Sequence, residues 1–368
     1  MPELDAVRGV AVLLVVVYHG LFWSNQHADV GPAGRALLDA SKVGWTGVNL
    51  FFVLSGFLIG GVLLDTRRLP AREYFGVFYA RRALRILPLY YLVLVVVSGL
   101  LAAAGEINAP FFWAGVFYLS NHADAFGGAA GYPLGVLWSL AIEEQFYLVW
   151  PLVVWGCGPR RLILVCGLVC LAEPVARGAA FRAYGEDVAF SATWGRLDGL
   201  ALGAMLAAVL RTGATRRRVL ALAAVLAGGA VAVAVVGRPF GVATRTTLAG
   251  AALQTSCLDL FYAGGLAATL AAGSRIGPRA AGLPLRSVGR VSYGVYLTHQ
   301  TVFWLTDRLA GPAGLDALRQ AYPTAGMLVR LLAVGAVTLV LCRLLFRYYE
   351  AWWLRRKPAY TVPAPVGG

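Results

Sequence analysis

The chain has 368 residues, of which 59% are hydrophobic and 14% charged. Soluble domains carry charge on about a quarter of their residues, so this composition excludes an ordinary soluble enzyme and marks an integral membrane protein. The net charge of +14 comes from arginine, with lysine only at Lys42 and Lys357; these basic residues flank apolar runs instead of forming one face, which argues against nucleic acid.

The first apolar run follows Leu4-Asp5-Ala6-Val7-Arg8-Gly9 and ends at His19. It is too long for the core of a signal peptide, and Phe22 and Trp23 read as an interfacial anchor, so it stays attached as the first span. At roughly 100° per residue, eleven steps bring Arg8 and His19 to one face about 16 Å apart. An ionisable residue inside a span is costly and therefore marks function, the competing reading being a polar tip at the interface.

A polar loop over residues 24–41 precedes a second span over 43–64, where Asn49, Ser55 and the Gly56/Gly60 spacing permit close helix approach. Six arginines within residues 65–85 mark a cytoplasmic loop. Arg81, Arg82 and Arg85 are spaced to converge on one anion, either a donor phosphate or a lipid headgroup. A third span covers 86–104. The apolar piece at 110–120 is shorter than the roughly 17 residues of a crossing, so a re-entrant or interfacial segment is expected near 110–121.

Residues 137–151 place Ser139, Glu143 and Tyr147 on one helical face, with Glu144 about 100° away. Further spans are expected over 162–176, 190–210, 219–236, 248–272, 291–309 and 326–346. The expected fold is thus an all-α bundle of about ten transmembrane helices. With both termini cytoplasmic, 22 of the 32 basic residues collect on the inner side. We expect one membrane domain over 1–357 and a disordered cytoplasmic tail over 358–368.

In this topology His19, Glu143 and Asp198 lie at comparable depth with Ser292, Tyr296 and His299, which share a face by seven- and three-residue spacing. Histidine takes and returns a proton near neutral pH, and a carboxylate can orient it. Acyl transfer to a hydroxyl needs such a base. An anionic donor such as coenzyme A needs a basic anchor away from the thioester, which Arg8 and the Arg81–Arg85 cluster supply. The same residues would suit a proton-coupled exporter, although no internal repeat supports that architecture. A structural scaffold is a third reading, one that would tolerate loss of His19. Histidines occur only at 19, 27, 122 and 299, with no His-x3-His pair, so no metal is expected. The five cysteines read as packing residues.

The pattern resembles the acyltransferase 3 family of membrane-bound bacterial O-acyltransferases over nearly the whole chain. Asp5, Arg8, Gly9 and His19 match its opening signature, and Gly47, Phe51, Phe52, Ser55 and Gly56 its second-span motif. Arg82, Arg85 and Pro88 resemble the arginine pair associated with acyl-CoA. Trp138, Ser139, Glu143, Phe146, Tyr147 and Pro151 resemble a further motif that favours Glu143 over Glu144. Arg196, Asp198 and Gly203 follow, then Gly289, Ser292, Tyr293, Tyr296 and His299. Glu350 departs from the family's late Ile-Glu-x-Pro element because no proline follows it.

The resemblance implies transfer of an acetyl or other short acyl group from acyl-CoA to a hydroxyl of a surface glycan or glycosylated metabolite, with no permanently bound cofactor. His19 is then the base or a transient acyl carrier. Arg8 and Glu143 assist it, and Arg81, Arg82 and Arg85 hold the donor. Asp198, Ser292, Tyr296 and His299 serve the acceptor or relay protons. Some family members carry an extracytoplasmic SGNH domain that completes the transfer. None is expected here, so the acceptor is taken directly or handed to a separate protein.

Overall fold

The computed structural model describes residues 2–128, 132–273 and 283–360, and no strand occurs among them. In chain order the helices are α1 (Pro2–Val17), α2 (Gly31–Ser41), α3 (Gly47–Thr66), α4 (Ala71–Ala103), α5 (Ala109–Val116), α6 (Leu137–Gly156), α7 (Pro159–Tyr184) and α8 (Glu186–Ser191). They continue with α9 (Leu197–Arg211), α10 (Arg216–Val236), α11 (Leu248–Ala272), α12 (Leu283–Arg290), α13 (Ser292–Ala310), α14 (Asp316–Ala321), α15 (Pro323–Leu345) and α16 (Ala351–Leu354). Arg275 and Arg279, two of the 22 basic residues expected on the cytoplasmic side, lie outside the described residues, as does 361–368 of the expected tail.

Seven helical stretches among the described residues are long and apolar enough to cross a bilayer, against the ten expected spans. Helices α6, α9 and α13 fall outside that set, and they are the ones that bear Glu143, Asp198 and His299. Helix α9, with 15 residues, is too short, and in α6 and α13 polar residues lower the hydropathy of the segment. Helix α5 has eight residues, too few to cross.

Four local expectations are corrected. Residues 31–41 of the expected loop form α2. Arg72, Arg81, Arg82 and Arg85 lie on α4, a helix of 33 residues that continues through Pro88. Arginine is a good helix former, so an arginine-rich stretch need not be a loop, and membrane helices tolerate proline. The expected span over 190–210 is broken: α8 ends at Ser191, a 3-10 turn covers Thr193–Gly195, and α9 starts at Leu197. His19 lies not in regular α-helix but in a π-helical segment, Tyr18–Trp23, that continues α1.

The described chain clusters into two compact units, each assembled from separated segments. Unit 1 contains Met1–Phe51, Tyr90–Ser139 and Ser274–Glu350. Its closest helix crossing is between α1 and α12, where a Cβ on Gly9 would stand 2.3 Å from the Leu285 carbonyl oxygen and one on Gly289 1.7 Å from that of Asp5. Unit 2 contains Phe52–Leu89, Leu140–Gly273 and Ala351–Gly368. Here α3 crosses α9 through Gly56, whose Cβ would meet the Leu200 carbonyl oxygen at 1.9 Å, and Gly203, opposite Val53. Small residues at such crossings let backbones approach where lipid gives no hydrophobic drive for helix association.

Candidate active site

In unit 1 the π-helical segment presents His19 to α13. Gly20 permits this approach, since a Cβ there would lie 2.5 Å from the Phe303 ring and 2.7 Å from Leu331. π-Helical turns inside α-helices recur at functional sites. His19 Nδ1 lies 2.9 Å from the Val15 carbonyl oxygen and 3.2 Å from His299 Nε2. His299 is fully buried, with Nδ1 3.0 Å from the Val295 carbonyl oxygen and 2.8 Å from that of Tyr296.

Carbonyl oxygens only accept, so in the neutral rings each Nδ1 carries the hydrogen. His19 Nδ1–H is shared between the Val15 carbonyl and the lone pair of His299 Nε2. His19 Nε2 therefore bears a lone pair while its other nitrogen is fixed, which is the arrangement a general base requires.

Tyr296 and Ser139 meet through their hydroxyls at 2.5 Å, and Ser139 also donates to the Val136 carbonyl oxygen at 3.2 Å. The two hydroxyl hydrogens are thus occupied, and the pair braces the start of α6 against α13. Ser292 is buried at the start of α13 and takes no part in the histidines' hydrogen bonds. Arg8 is bound to the Asp5 carboxylate at 2.8 Å, both partly exposed; it does not contact His19.

Two residues that the spacing argument missed hold the histidine segment. Arg330 of α15, fully buried, makes a bidentate pair with Asp307 at 2.5 and 2.6 Å and lies 4.5 Å from the centre of the Phe303 ring. Its third contact is donation to the Gly20 carbonyl oxygen at 3.3 Å. Asn25 donates to the same carbonyl at 3.2 Å and to that of Leu21 at 2.8 Å. An arginine inside an apolar helix is itself a signal that could have identified Arg330.

Unit 2 holds the second group. Arg82 stands over the rings of Phe78 and Tyr147 at 6.0 and 5.8 Å, and the Tyr147 hydroxyl donates to Glu143 at 3.3 Å and meets the Ser55 hydroxyl. Arg82, Tyr147 and Glu143 therefore form one cluster. Arg81 is turned elsewhere: it donates to the Pro358 carbonyl oxygen at 2.7 Å and lies over the Tyr360 ring. Burial raises the Tyr360 phenol above its ordinary value, with Arg81 opposing. Arg85 is half-buried one turn further along α4.

Asp198 sits in a third cluster, also in unit 2. It pairs with Arg177 at 2.9 Å and accepts from the Ser256 hydroxyl at 2.7 Å. Arg177 also donates to the carbonyls of Gly195 and Ala252. Both charges are buried, and the ion pair ties α7 to the break before α9. Among the described residues, no group of three or more His, Cys, Asp or Glu side chains could hold a metal ion.

A family model described as an acyltransferase domain matches residues 1–347. The chain belongs to the acyltransferase 3 family. Among curated relatives of this acyltransferase, the peptidoglycan O-acetyltransferase OatA of Listeria monocytogenes is 35% identical over 188 residues, 46% of this chain and 27% of the relative. The putative peptidoglycan O-acetyltransferase YrhL of Bacillus subtilis is 34% identical over 205 residues, 50% of this chain and 29% of the relative. The O-acetyltransferase OatA of Staphylococcus aureus is 33% identical over 191 residues, 46% and 28% of the two chains. The matched segments cover under a third of each of these relatives. No solved structure matches.

Proposed function

We propose that this multi-pass membrane acyltransferase moves a short acyl group from acyl-CoA to a hydroxyl of a carbohydrate acceptor. The observation that carries the reading is the His19–His299 pair, with both Nδ1 hydrogens on backbone carbonyls and the lone pair of His19 Nε2 left for the acceptor. His19 Nε2 removes the hydroxyl proton as that oxygen attacks the thioester carbonyl. The C–S bond breaks, and the proton returns from His19 to the leaving thiolate as free CoA. The imidazolium formed in between donates Nδ1–H to the Val15 carbonyl and His299.

Arg82, with Arg85 one turn on, binds donor phosphate, and Glu143 holds the Tyr147 ring on which Arg82 rests. Tyr296 and Ser139 brace α13, and Asp198 anchors α9. The names of the relatives favour a cell-wall sugar as acceptor, and the arginine distribution favours both termini in the cytoplasm of an inner-membrane protein.

The test is acetyl transfer from acetyl-CoA to a glycan extract by membranes carrying the wild type or His19→Ala. A general base contributes about 10²–10⁴-fold, so the variant is expected to lose transfer by at least two orders of magnitude. Equal CoA release and equal acetylated product from both preparations would remove His19 from the chemistry.

A further inference from the structure

Unit 1 contains a cavity of about 460 Å³ lined by Asn25, Asp29, Asp316, Arg319 and Gln320, within the size range of small-molecule sites. We propose that it is the binding site for the acceptor sugar, an inference that rests on the acyltransferase reading above. Three features of the lining carry it.

The first is charge. Two carboxylates face one guanidinium, so the cavity repels phosphates and cannot hold the CoA end of the donor. A separate cavity of about 600 Å³ in unit 2 has the opposite character, with Arg67, Arg160, Arg161 and Arg211 in its wall.

The second is hydrogen-bonding geometry. Carboxylates accept from neighbouring hydroxyls, amides both accept and donate, and a guanidinium fork donates two parallel bonds, which suits a polyol. Arg319 is already oriented, donating to Asn25 Oδ1 at 3.1 Å and lying 3.9 Å from Asp316. Asp29 and Gln320 make no side-chain hydrogen bond among the described residues. Val30 and Met327 give the cavity an apolar wall for the carbon face of a sugar ring, and both belong to the buried cluster that includes Leu21.

The third is connection to the base. Asn25 donates to the carbonyls of Gly20 and Leu21, directly after His19. Asn25 lies six helical steps beyond His19, less than about 9 Å along the axis because the first steps are π-helical. In the proposed topology the cavity opens to the extracytoplasmic side, where envelope glycans are.

The experiment uses the full chain in lipid nanodiscs, with chitotriose as acceptor and acetyl-CoA as donor. Asp29→Asn and Gln320→Ala, both at exposed positions, each remove one sugar contact, and the pair together should raise the acceptor KM at least about fivefold without raising the KM for acetyl-CoA. An unchanged acceptor KM, or a rise in the acetyl-CoA KM alone, overturns the site. If the wild type transfers nothing, the acyltransferase reading fails separately, and saturation-transfer NMR with the same sugar reads the site directly. Binding that is lost in the double variant supports the site. Binding that is absent, equal in both proteins, or displaced by millimolar inorganic phosphate overturns it.

Discussion

At the scale of single residues, the proposed catalysis depends on where one imidazole nitrogen points, and Arg330 is bonded to the backbone beside it. Its guanidinium joins α13 through Asp307 to the backbone beside His19. Lysine keeps the charge but loses the fork. Arg330→Lys is therefore expected to lower kcat roughly tenfold or more, since small misplacements of a base can cost two orders of magnitude, while the acceptor KM stays within about twofold. Steady-state kinetics checks this, and an unchanged kcat would assign Arg330 to packing alone. Arg82→Ala should act on the other substrate, raising the KM for acyl-CoA roughly tenfold, as loss of a charged hydrogen bond does; unchanged donor affinity would remove Arg82 from the site.

The residues legible in the sequence were those whose partners follow helical spacing. Tyr296 and His299 share α13, and Glu143 and Tyr147 share α6. Arg330 and Arg177 were missed because their value lies in contacts hundreds or dozens of positions away, such as Arg330 with Gly20 and Arg177 with Ala252, and Asn25, only five and four positions from the carbonyls it binds, was missed because its segment reads as a polar loop. Spacing placed Arg8 on the face of His19 about 16 Å away, and the Asp5 carboxylate one turn back holds its guanidinium.

At the scale of elements, helix existence followed from apolar runs, and the interruptions did not. The π-helical segment at His19 depends on how Gly20 meets Phe303, which no local pattern encodes. The break before α9 depends on Arg177, which satisfies the Gly195 carbonyl exposed there. Removing one partner of a buried ion pair typically costs about 3–5 kcal/mol. Arg177→Ala is accordingly expected to lower the thermal unfolding midpoint and the folded yield in detergent, with the kcat of the folded fraction nearly retained. A kcat loss as deep as that of His19→Ala, without destabilisation, would instead return the Asp198 cluster to the chemistry.

At the scale of the whole molecule, α4 sets a dimension. Its 33 residues span about 50 Å, against a hydrocarbon thickness of about 30 Å. Counted back from Ala103, that thickness ends about twenty residues earlier, beside Arg82 and Arg85. If Arg82 and Arg85 hold the donor as proposed, the anchor falls where hydrocarbon gives way to headgroups, and the helix would work as a depth gauge. In a thicker bilayer the guanidinium groups would be drawn toward the acyl chains and compete with lipid phosphates for the same hydrogen bonds, and in a thinner one they would stand clear in water. Reconstitution in phosphatidylcholines of increasing chain length should therefore raise the acetyl-CoA KM progressively and leave the acceptor KM in place. The lipid around this enzyme would then act as a regulator of its affinity for one substrate and not the other.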